Sequence, residues 1–509
     1  MSISVLLDMA SSAFGDRLSL GSQTEGMTYA QISGTVGGGA SLLRESGARS
    51  LAFVGLNSPA LPTLLFTAAE AGVPFAPLNY RLDRASLRRL LDRLDRPLVV
   101  ADPAFAEAVG GDGREVVATQ DWLARAAAAP PAAPGASARD DSEAAVLLFT
   151  SGTTAAPKCV ILRHAHLLSY VLTTVEFGSA DPEDTVLVSV PPYHVAAIGS
   201  ALSNIYAARR AVYLPNFAPD AWLDLVRTEG VTSAMVVPTM LARIVEHLDG
   251  APGDCPRLAS LAYGGARMPA PVLAQALDTF PGTGFVNAYG LTETSSTITL
   301  LGPEDHRLAV TSQDPDVRAR LSSVGRPVPG IEVQIRDEDD AVLPSGTVGE
   351  LWVRGEQVSG EYQDQGSVLD AGGWFPTRDR ARIDDGGYIF LDGRADDTII
   401  RGGENISPAE VEDVLLEHPL VRETAVVGIP DAEWGERLVA VVVPADPAEP
   451  PGAESLRAFV RGRLRGSRTP DQVVFRDELP CTPTGKILRR QLVSELSAEP
   501  IESAPATRS

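Results

Sequence analysis

Lysine is almost missing from this 509-residue chain: of its 43 basic residues only Lys158 and Lys486 are lysine, and the rest are arginine. Cysteine is scarce as well. Cys159, Cys255 and Cys481 are odd in number and far apart, which excludes a disulfide framework and a cysteine-based zinc site. Six histidines (His164, His166, His194, His247, His306, His418) show no H-E-x-x-H spacing, so no zinc site is expected. Positive charge is in deficit, with a net charge of −23, and this argues against a nucleic-acid binder or a polybasic membrane binder. No apolar run approaches the roughly 18 residues of a membrane span. Met1 to Asp16 has no basic segment ahead of its short apolar stretch, so neither a signal peptide nor a membrane span is expected, and the protein reads as cytoplasmic. G-x-S-x-G, the Walker A pattern and G-x-G-x-x-G are all absent, which removes a hydrolase nucleophile elbow and the common nucleotide fingerprints.

What remains is 44% apolar and 21% charged, the composition of a globular protein long enough for two to four folding units. In the first part of the chain, Ser50 to Gly55 and Pro97 to Ala101 read as buried strands, with Leu61 to Ala71 and Arg84 to Leu94 as helices. Strands alternating with helices imply a largely parallel sheet. Ala126 to Asp141, rich in alanine and proline, reads as a surface linker. A second αβ series follows, with strands near Ala145–Phe149, Thr185–Val190, Ala211–Leu214, Thr232–Val236 and Gly284–Asn287, and helices near Asp220–Glu229 and Met240–Leu248. From Ile331 the strands shorten (Glu332 to Ile335, Glu350 to Val353), which suggests a small β-rich subdomain. Ser407-Pro-Ala-Glu410 reads as a capping box with Pro at the first helical position, and Ile406 and Val411 sit where a hydrophobic staple would. Strands at Thr424–Val427 and Leu438–Val443 follow. An amphipathic helix then carries Leu456, Phe459, Val460 and Leu464. The expected fold is α/β: a large N-terminal domain over 1–394 and a small mobile α+β domain over 395–509, its tail disordered after about residue 497.

Both lysines stand in Gly/Thr-rich turns, Thr150-Ser-Gly-Thr-Thr-Ala-Ala-Pro-Lys158 and Thr482-Pro-Thr-Gly-Lys486. A compact ammonium with three rotatable donors suits phosphate or charge developing on one oxygen, where a planar guanidinium is not interchangeable with it. The first turn follows the apolar run Val146 to Phe149, and its amides and hydroxyls can wrap a polyphosphate. Taken alone, an ordinary Ser/Thr turn explains it equally well. Asn287-Ala-Tyr-Gly-Leu-Thr-Glu-Thr294 offers a flat ring at Tyr289, a hydroxyl at Thr292 and a carboxylate at Glu293. Trp374 to Asp379 and Gly393-Arg394 pair a carboxylate, able to accept both hydroxyls of a ribose, with a guanidinium suited to phosphate. A structural ion pair is the plainer reading. Arg401-Gly-Gly-Glu-Asn405 permits close approach of a ligand to the backbone. From Arg457 to Arg490 nine basic residues face three acidic ones, a local positive field that suggests an anionic ligand such as a nucleotide.

In this order and spacing, these segments resemble the adenylate-forming superfamily: acyl- and aryl-CoA synthetases, nonribosomal adenylation domains and luciferases. The resemblance covers essentially the whole chain. It implies that Thr150, Ser151, Gly152, Thr153, Thr154 and Lys158 belong to a phosphate loop, and that Gly264, Gly265 and Ala266 line an adenine site. Tyr289 would stack on the adenine, Thr292 would contact the α-phosphate, and Glu293 would hold Mg²⁺. Asp379 would take the ribose hydroxyls with Arg394 near them. Asp396 matches the hinge of the C-terminal domain, Gly402 and Gly403 match a loop on the pantetheine tunnel, and Lys486 matches the catalytic lysine of adenylation. His194, in Pro191-Pro-Tyr-His-Val195, falls where the superfamily often has a ring beside the carboxylate of the acid. Several positions depart from the pattern. Ala155 and Cys159 stand where glycine is usual in the phosphate loop, Arg378 replaces the glycine before Asp379, and Ser467 stands where an aromatic often packs on the CoA nucleotide.

The implied activity is AMP-forming ligation of a carboxylic acid, with ATP and Mg²⁺ as requirements and CoA as the acyl acceptor. Tyr193-His194 and Gly264-Gly265 would leave a flat slot for an aromatic or compact cyclic acid. The alternatives are an adenylating enzyme that passes the acyl group to an amine, a hydroxyl or a carrier-protein thiol, and a nucleotide-binding regulator built on the same fold. The retention of both lysines and of Glu293 argues against the regulator.

Overall fold

The structure is a computed structural model that describes residues 1–111, 114–131, 140–150, 157–394, 397–402, 404–431, 434–464, 466–482 and 487–498. They divide into two compact units. The first holds Met1–Gly265, Gln275–Gln334 and Trp352–Thr377, and the second holds Ala266–Ala274, Ile335–Leu351 and Arg378–Ser509.

The first unit contains two large sheets among its described residues. One runs in the order Arg326–Pro327, Ser296–Leu301, Gly284–Leu291, Ser260–Gly264, Ser233–Val236, Thr185–Val188, Arg210–Tyr213, Leu18–Leu20, Met27–Thr28. Its central strands are parallel and its two ends antiparallel. The other runs Gly366–Ser367, Glu361–Tyr362, Lys158–Arg163, Ala144–Thr150, Phe75–Pro77, Ser50–Val54, Pro97–Ala101, Val116–Ala118. It is parallel from Ala144–Thr150 onward. Strand Ser50–Val54 is buried at every position, and helix Ala60–Ala71 is buried at all but one. Elements covered on both sides have no polar face to show, so their sequences are predominantly apolar.

The expected elements form, with differences that have local causes. The linker starts later than its composition suggests, because helix Thr119–Ala128 takes in Ala126, which is 1% exposed. A Cβ on Gly38 would lie 2.2 Å from the Ala126 carbonyl oxygen, so glycine there lets helix Tyr29–Ser46 pack closely on this one. The strand expected to stop at Asn287 continues to Leu291, because Ser296–Leu301 pairs back along it.

In the second unit, Gly435–Pro444 pairs with Val421–Asp431, Ile399–Arg401 and Gln472–Phe475. Val426, Leu438, Ala440 and Val442 pack on one face with Ile406, Val411, Leu456 and Val460. Ala425, Val427, Val439 and Val441 pack on the other with Leu479, Leu492 and Leu496. That two-residue alternation is a strand buried on both faces. The capping box at Ser407 does not form. Helix Pro408–Leu416 has Ser407 at its N-cap without a side-chain cap. The Ser407 hydroxyl donates to the Asp392 carbonyl instead, and the Glu410 carboxylate is taken by Arg468. The Ile406 and Val411 staple positions do share the core. The tail after residue 498 lies outside the described residues.

Candidate active site

Strands Ala144–Thr150 and Lys158–Arg163 form an antiparallel hairpin in which Thr150 is paired with Lys158. The first candidate loop therefore leaves and re-enters the sheet at one point. Arg93 braces its base, donating to the Pro157 carbonyl at 2.6 Å while its guanidinium lies 5.1 Å from the Phe149 ring centroid. Ser151, Gly152, Thr153 and Thr154 lie outside the described residues, as does Ala155. Cys159 is fully buried, and burial pushes its thiol up to about 12. It is a packed side chain, not a nucleophile.

A strand, a strained turn and a bare glycine make the second group. Gly264 pairs with Ala288, and a Cβ there would sit 2.1 Å from the Ala288 carbonyl oxygen. Gly265 follows at φ +82°. Tyr289, two residues before the strand ends, is half-buried. Thr292–Thr294 is a single 3₁₀ turn, and two successive serines after it, Ser295 at φ +58° and Ser296 at φ +120°, occupy backbone regions that L residues avoid. Such strain persists only where surrounding bonds over-determine it. Here the Gln357 amide donates to the Thr294 and Thr297 carbonyls at 3.0 and 2.9 Å, and Ser359 N–H donates to the Glu293 carbonyl at 2.8 Å. Thr292 and Glu293 are half-buried. The Tyr362 hydroxyl donates to Glu293 Oε1 at 2.8 Å.

His194 stands at the N-cap position of helix Val195–Tyr206 without a side-chain cap bond, its ring tilted against that of Tyr193 with centroids 4.6 Å apart. Burial first, then the Arg81 charge, holds its pKa down at about 4, so the imidazole is neutral at pH 7. Its Nε2 and the Tyr193 hydroxyl are buried without a hydrogen-bond partner among the described residues. Tyr80 meets Tyr193 edge-on at 5.6 Å and Phe105 at 5.2 Å. This aromatic wall carries two polar atoms still to be satisfied. Tyr80 and Phe105 went unread in the sequence because nothing in their own neighbourhoods marks them.

Asp379 and Arg394 belong to the second unit, where strands Phe375–Ile383 and Ile389–Arg394 pair them opposite each other with Arg394 Nε 3.5 Å from Asp379 Oδ1. Asp379 is buried. Arg378, just before it, takes φ +64°, and its N–H donates to Glu350 at 3.2 Å. This is the left-handed conformation for which glycine is favoured. Ala266 belongs to this unit and is half-buried. Gly402 has φ +59°, and a Cβ on it would lie 3.1 Å from the Trp434 ring. Gly403, Asp396 and Lys486 lie outside the described residues. The chain on either side of Lys486 is tied together by the Cys481–Ile487 bridge and by Leu488 N–H donating to the Pro480 carbonyl at 2.7 Å.

The positive field read from Arg457 to Arg490 is partly offset among the described residues. Arg457 pairs with Glu454, Arg463 with Glu417, Arg468 with Glu404 and Glu410, and Arg489 with Glu412 and Asp397. Apart from Glu454, three residues before Arg457, the partners come from distant segments, so counting charges in one window missed them. Among the described residues no cluster of three His, Cys, Asp or Glu could hold a metal, and no helix is long and apolar enough to cross a membrane. A single carboxylate at Glu293 still fits Mg²⁺, which takes one or two carboxylates and completes its shell with phosphate oxygens and water.

The AMP-binding enzyme family matches residues 7–363, and the AMP-binding enzyme C-terminal domain matches residues 410–486. A feruloyl-CoA synthase from an Amycolatopsis species is 34% identical over 476 residues, covering 92% of this chain and 93% of its own. The structure is similar to ATP-bound MatB from Rhodopseudomonas palustris, with a TM-score of 0.86, 26% identity and coverage of 98% and 99%. It is also similar to an amide bond synthetase from Marinactinospora thermotolerans, with a TM-score of 0.83, 27% identity and coverage of 97% and 100%.

Proposed function

The chain belongs to the AMP-binding enzyme family, and from that premise we propose that it is an ATP-dependent, AMP-forming carboxylate ligase with CoA as its acyl acceptor. In the first half-reaction a carboxylate oxygen bonds to the α-phosphorus, the bond from that phosphorus to the β-bridging oxygen breaks, and pyrophosphate leaves. In the second, the thiol sulfur of CoA bonds to the acyl carbon, the acyl C–O bond breaks, AMP leaves and the thiol proton passes to solvent.

The observation that carries this reading is the continuous strand and turn Gly284–Thr294. It presents a ring, a hydroxyl and a carboxylate in sequence beside Gly264, where the Ala288 carbonyl leaves no room for a side chain. We assign Gly264, Gly265, Ala266 and Tyr289 to the adenine, Asp379 and Arg394 to the ribose, and Thr292 to the α-phosphate. Thr150 to Thr154 and Lys158 take the remaining phosphates. Mg²⁺, held by Glu293, would supply charge neutralisation on the phosphate oxygens. Lys486 offsets negative charge as it accumulates in the transition state. Residues 395–509 form a lid that turns near Asp396, bringing either Lys486 or the Gly402–Gly403 loop to the reacting centre.

An aromatic or compact cyclic acid is supported by the wall of Tyr80, Phe105, Tyr193 and His194 and by the feruloyl-CoA synthase relative. The neutral His194 Nε2, as yet unpartnered, is the group we assign beside the substrate carboxylate. CoA as acceptor rests on that relative rather than on Arg457 to Arg490, four of whose nine basic residues are held in ion pairs. An amine acceptor is the second reading, favoured by the likeness to the amide bond synthetase. The three cysteines are free thiols, which suits the cytoplasm. The test is pyrophosphate exchange over a panel of aryl and alkyl acids, followed by incubation of the best acid with CoA or with amines. Aryl-dependent exchange and an acyl-CoA product are expected. No exchange with any acid would overturn the ligase reading, and amide product without acyl-CoA at millimolar CoA would overturn the acceptor.

A further inference from the structure

Tyr362 belongs to none of the motifs that the sequence displays, yet it is 8% exposed and stands between two of them. Its short strand Glu361–Tyr362 pairs antiparallel with Lys158–Arg163, Tyr362 opposite Val160. Gln363 N–H donates to the Cys159 carbonyl at 2.9 Å. Arg163 grips Glu361 through two hydrogen bonds of 2.8 and 2.6 Å. On the other side, Ser359 and Gly360 N–H both donate to the Glu293 carbonyl, at 2.8 and 3.2 Å. Residues 359–363 thus stitch the strand that leaves the phosphate loop to the turn that carries Glu293.

The Tyr362 side chain uses that placement twice. Its hydroxyl donates to Glu293 Oε1 at 2.8 Å, and its ring centroid lies 4.9 Å from Lys158 Nζ. Among the described residues no ion pair joins Lys158 to Glu293. A direct pair would have spent the ammonium on the carboxylate. An aromatic face attracts the ammonium electrostatically without neutralising it, while a phenol donor orients the carboxylate through one oxygen. Glu293 Oε2 keeps no protein hydrogen bond among the described residues. We propose that Tyr362 is a positioning residue of the phosphate site, holding Lys158 and Glu293 apart and aimed, one through its ring and the other through its hydroxyl. The inference rests on the assignment of these two residues to the ATP phosphates and Mg²⁺.

The two contacts separate by mutation. Tyr362→Phe keeps the ring and removes the donor, and Tyr362→Leu removes both. Calorimetric titration of each variant with ATP, with Mg²⁺ and with EDTA, reads binding without turnover. Tyr362→Phe should bind ATP in EDTA within about twofold of wild type, but lose the gain that Mg²⁺ confers by about three- to tenfold, a range typical of one net intramolecular hydrogen bond. Tyr362→Leu should lose a further several-fold in EDTA, where only the Lys158 contact is at stake. In a Glu293→Gln background the Tyr362→Phe effect on Mg²⁺ should shrink, because the two act through one contact. A purely structural role would instead lower the melting temperature and weaken both titrations alike. Should Tyr362→Leu not fold, Tyr362→His, which keeps a flat ring and a donor, replaces it and should bind Mg²⁺·ATP better than Tyr362→Phe. Phe and Leu variants with identical losses, or a Phe variant with wild-type Mg²⁺ gain, would overturn the proposal. Failure of pyrophosphate exchange in the wild type would remove the ligase reading and leave this titration standing on its own.

Discussion

Arg489 and Glu412 close a largely buried ring around the backbone of one residue: Arg489 donates to both Glu412 oxygens and to the Val426 carbonyl at 2.8 Å, while Val426 N–H donates to Glu412 at 2.7 Å. The pair joins helix Pro408–Leu416, strand Val421–Asp431 and the start of helix Arg489–Ala498. Removing one partner of such a pair strands the other charge in low dielectric, which costs about 3–5 kcal/mol. Arg489→Met is therefore expected to unfold the second unit well before the first, seen as an early transition in a denaturant titration. Glu412→Gln, which keeps an acceptor for Val426 N–H, should cost less. A single unshifted transition in Arg489→Met would show that the ring contributes nothing.

Lys486→Ala should lower pyrophosphate exchange by more than about tenfold, roughly 1.4 kcal/mol in barrier, while calorimetric ATP binding stays near wild type. A contact made chiefly in the transition state stabilises the ground state little. Exchange within tenfold of wild type would take Lys486 out of the chemistry.

Gly264→Ala puts a methyl group 2.1 Å from the Ala288 carbonyl oxygen. The neighbour there is backbone and cannot rotate away, so the two strands must part, at about 1–3 kcal/mol. Weaker ATP binding should accompany the lost stability if this pair of strands floors the adenine site. A variant with wild-type melting temperature and ATP affinity would refute the close approach.

His166 supplies a pH test independent of the chemistry. Burial, with help from the Arg163 charge and against that of Glu361, holds its pKa down at about 4, below the ordinary value near 6.5. Between those values the unfolded chain binds the proton and the folded chain does not, so stability falls as pH drops from about 6.5 to 4. His194, also held at about 4, adds to the same window. His166→Gln keeps an acceptor for the Arg163 N–H that His166 Nδ1 now receives at 3.2 Å, and it should flatten the loss of melting temperature between pH 7 and pH 5. An unchanged slope would mean that His166 is protonated in the fold.

The sequence by itself determined the elements and the chemistry of the separate motifs. Ser50 to Gly55 and Leu438–Val443 read as strands from their short apolar runs, and strands form there. Lys158 and Lys486 stood out because almost every other cation is arginine. Residue chemistry also gave Asp379 and Arg394 as a candidate pair, a carboxylate suited to ribose hydroxyls and a guanidinium suited to phosphate, and the strand pairing puts them face to face. The tertiary structure decided whatever depended on partners far along the chain. Composition presented Arg457 to Arg490 as a positive field, and only folding put Glu404, Glu410, Glu412 and Glu417 against it. Ser407-Pro-Ala-Glu410 has the letters of a capping box, but the Asp392 carbonyl and Arg468 compete for its two side chains and win. Tyr362 carried no signal at all, because a tyrosine becomes a bridge between Lys158 and Glu293 only when two strands from different parts of the chain are laid beside one turn. Period and propensity act over a few residues, whereas burial and charge pairing are settled by whichever groups the fold brings into reach.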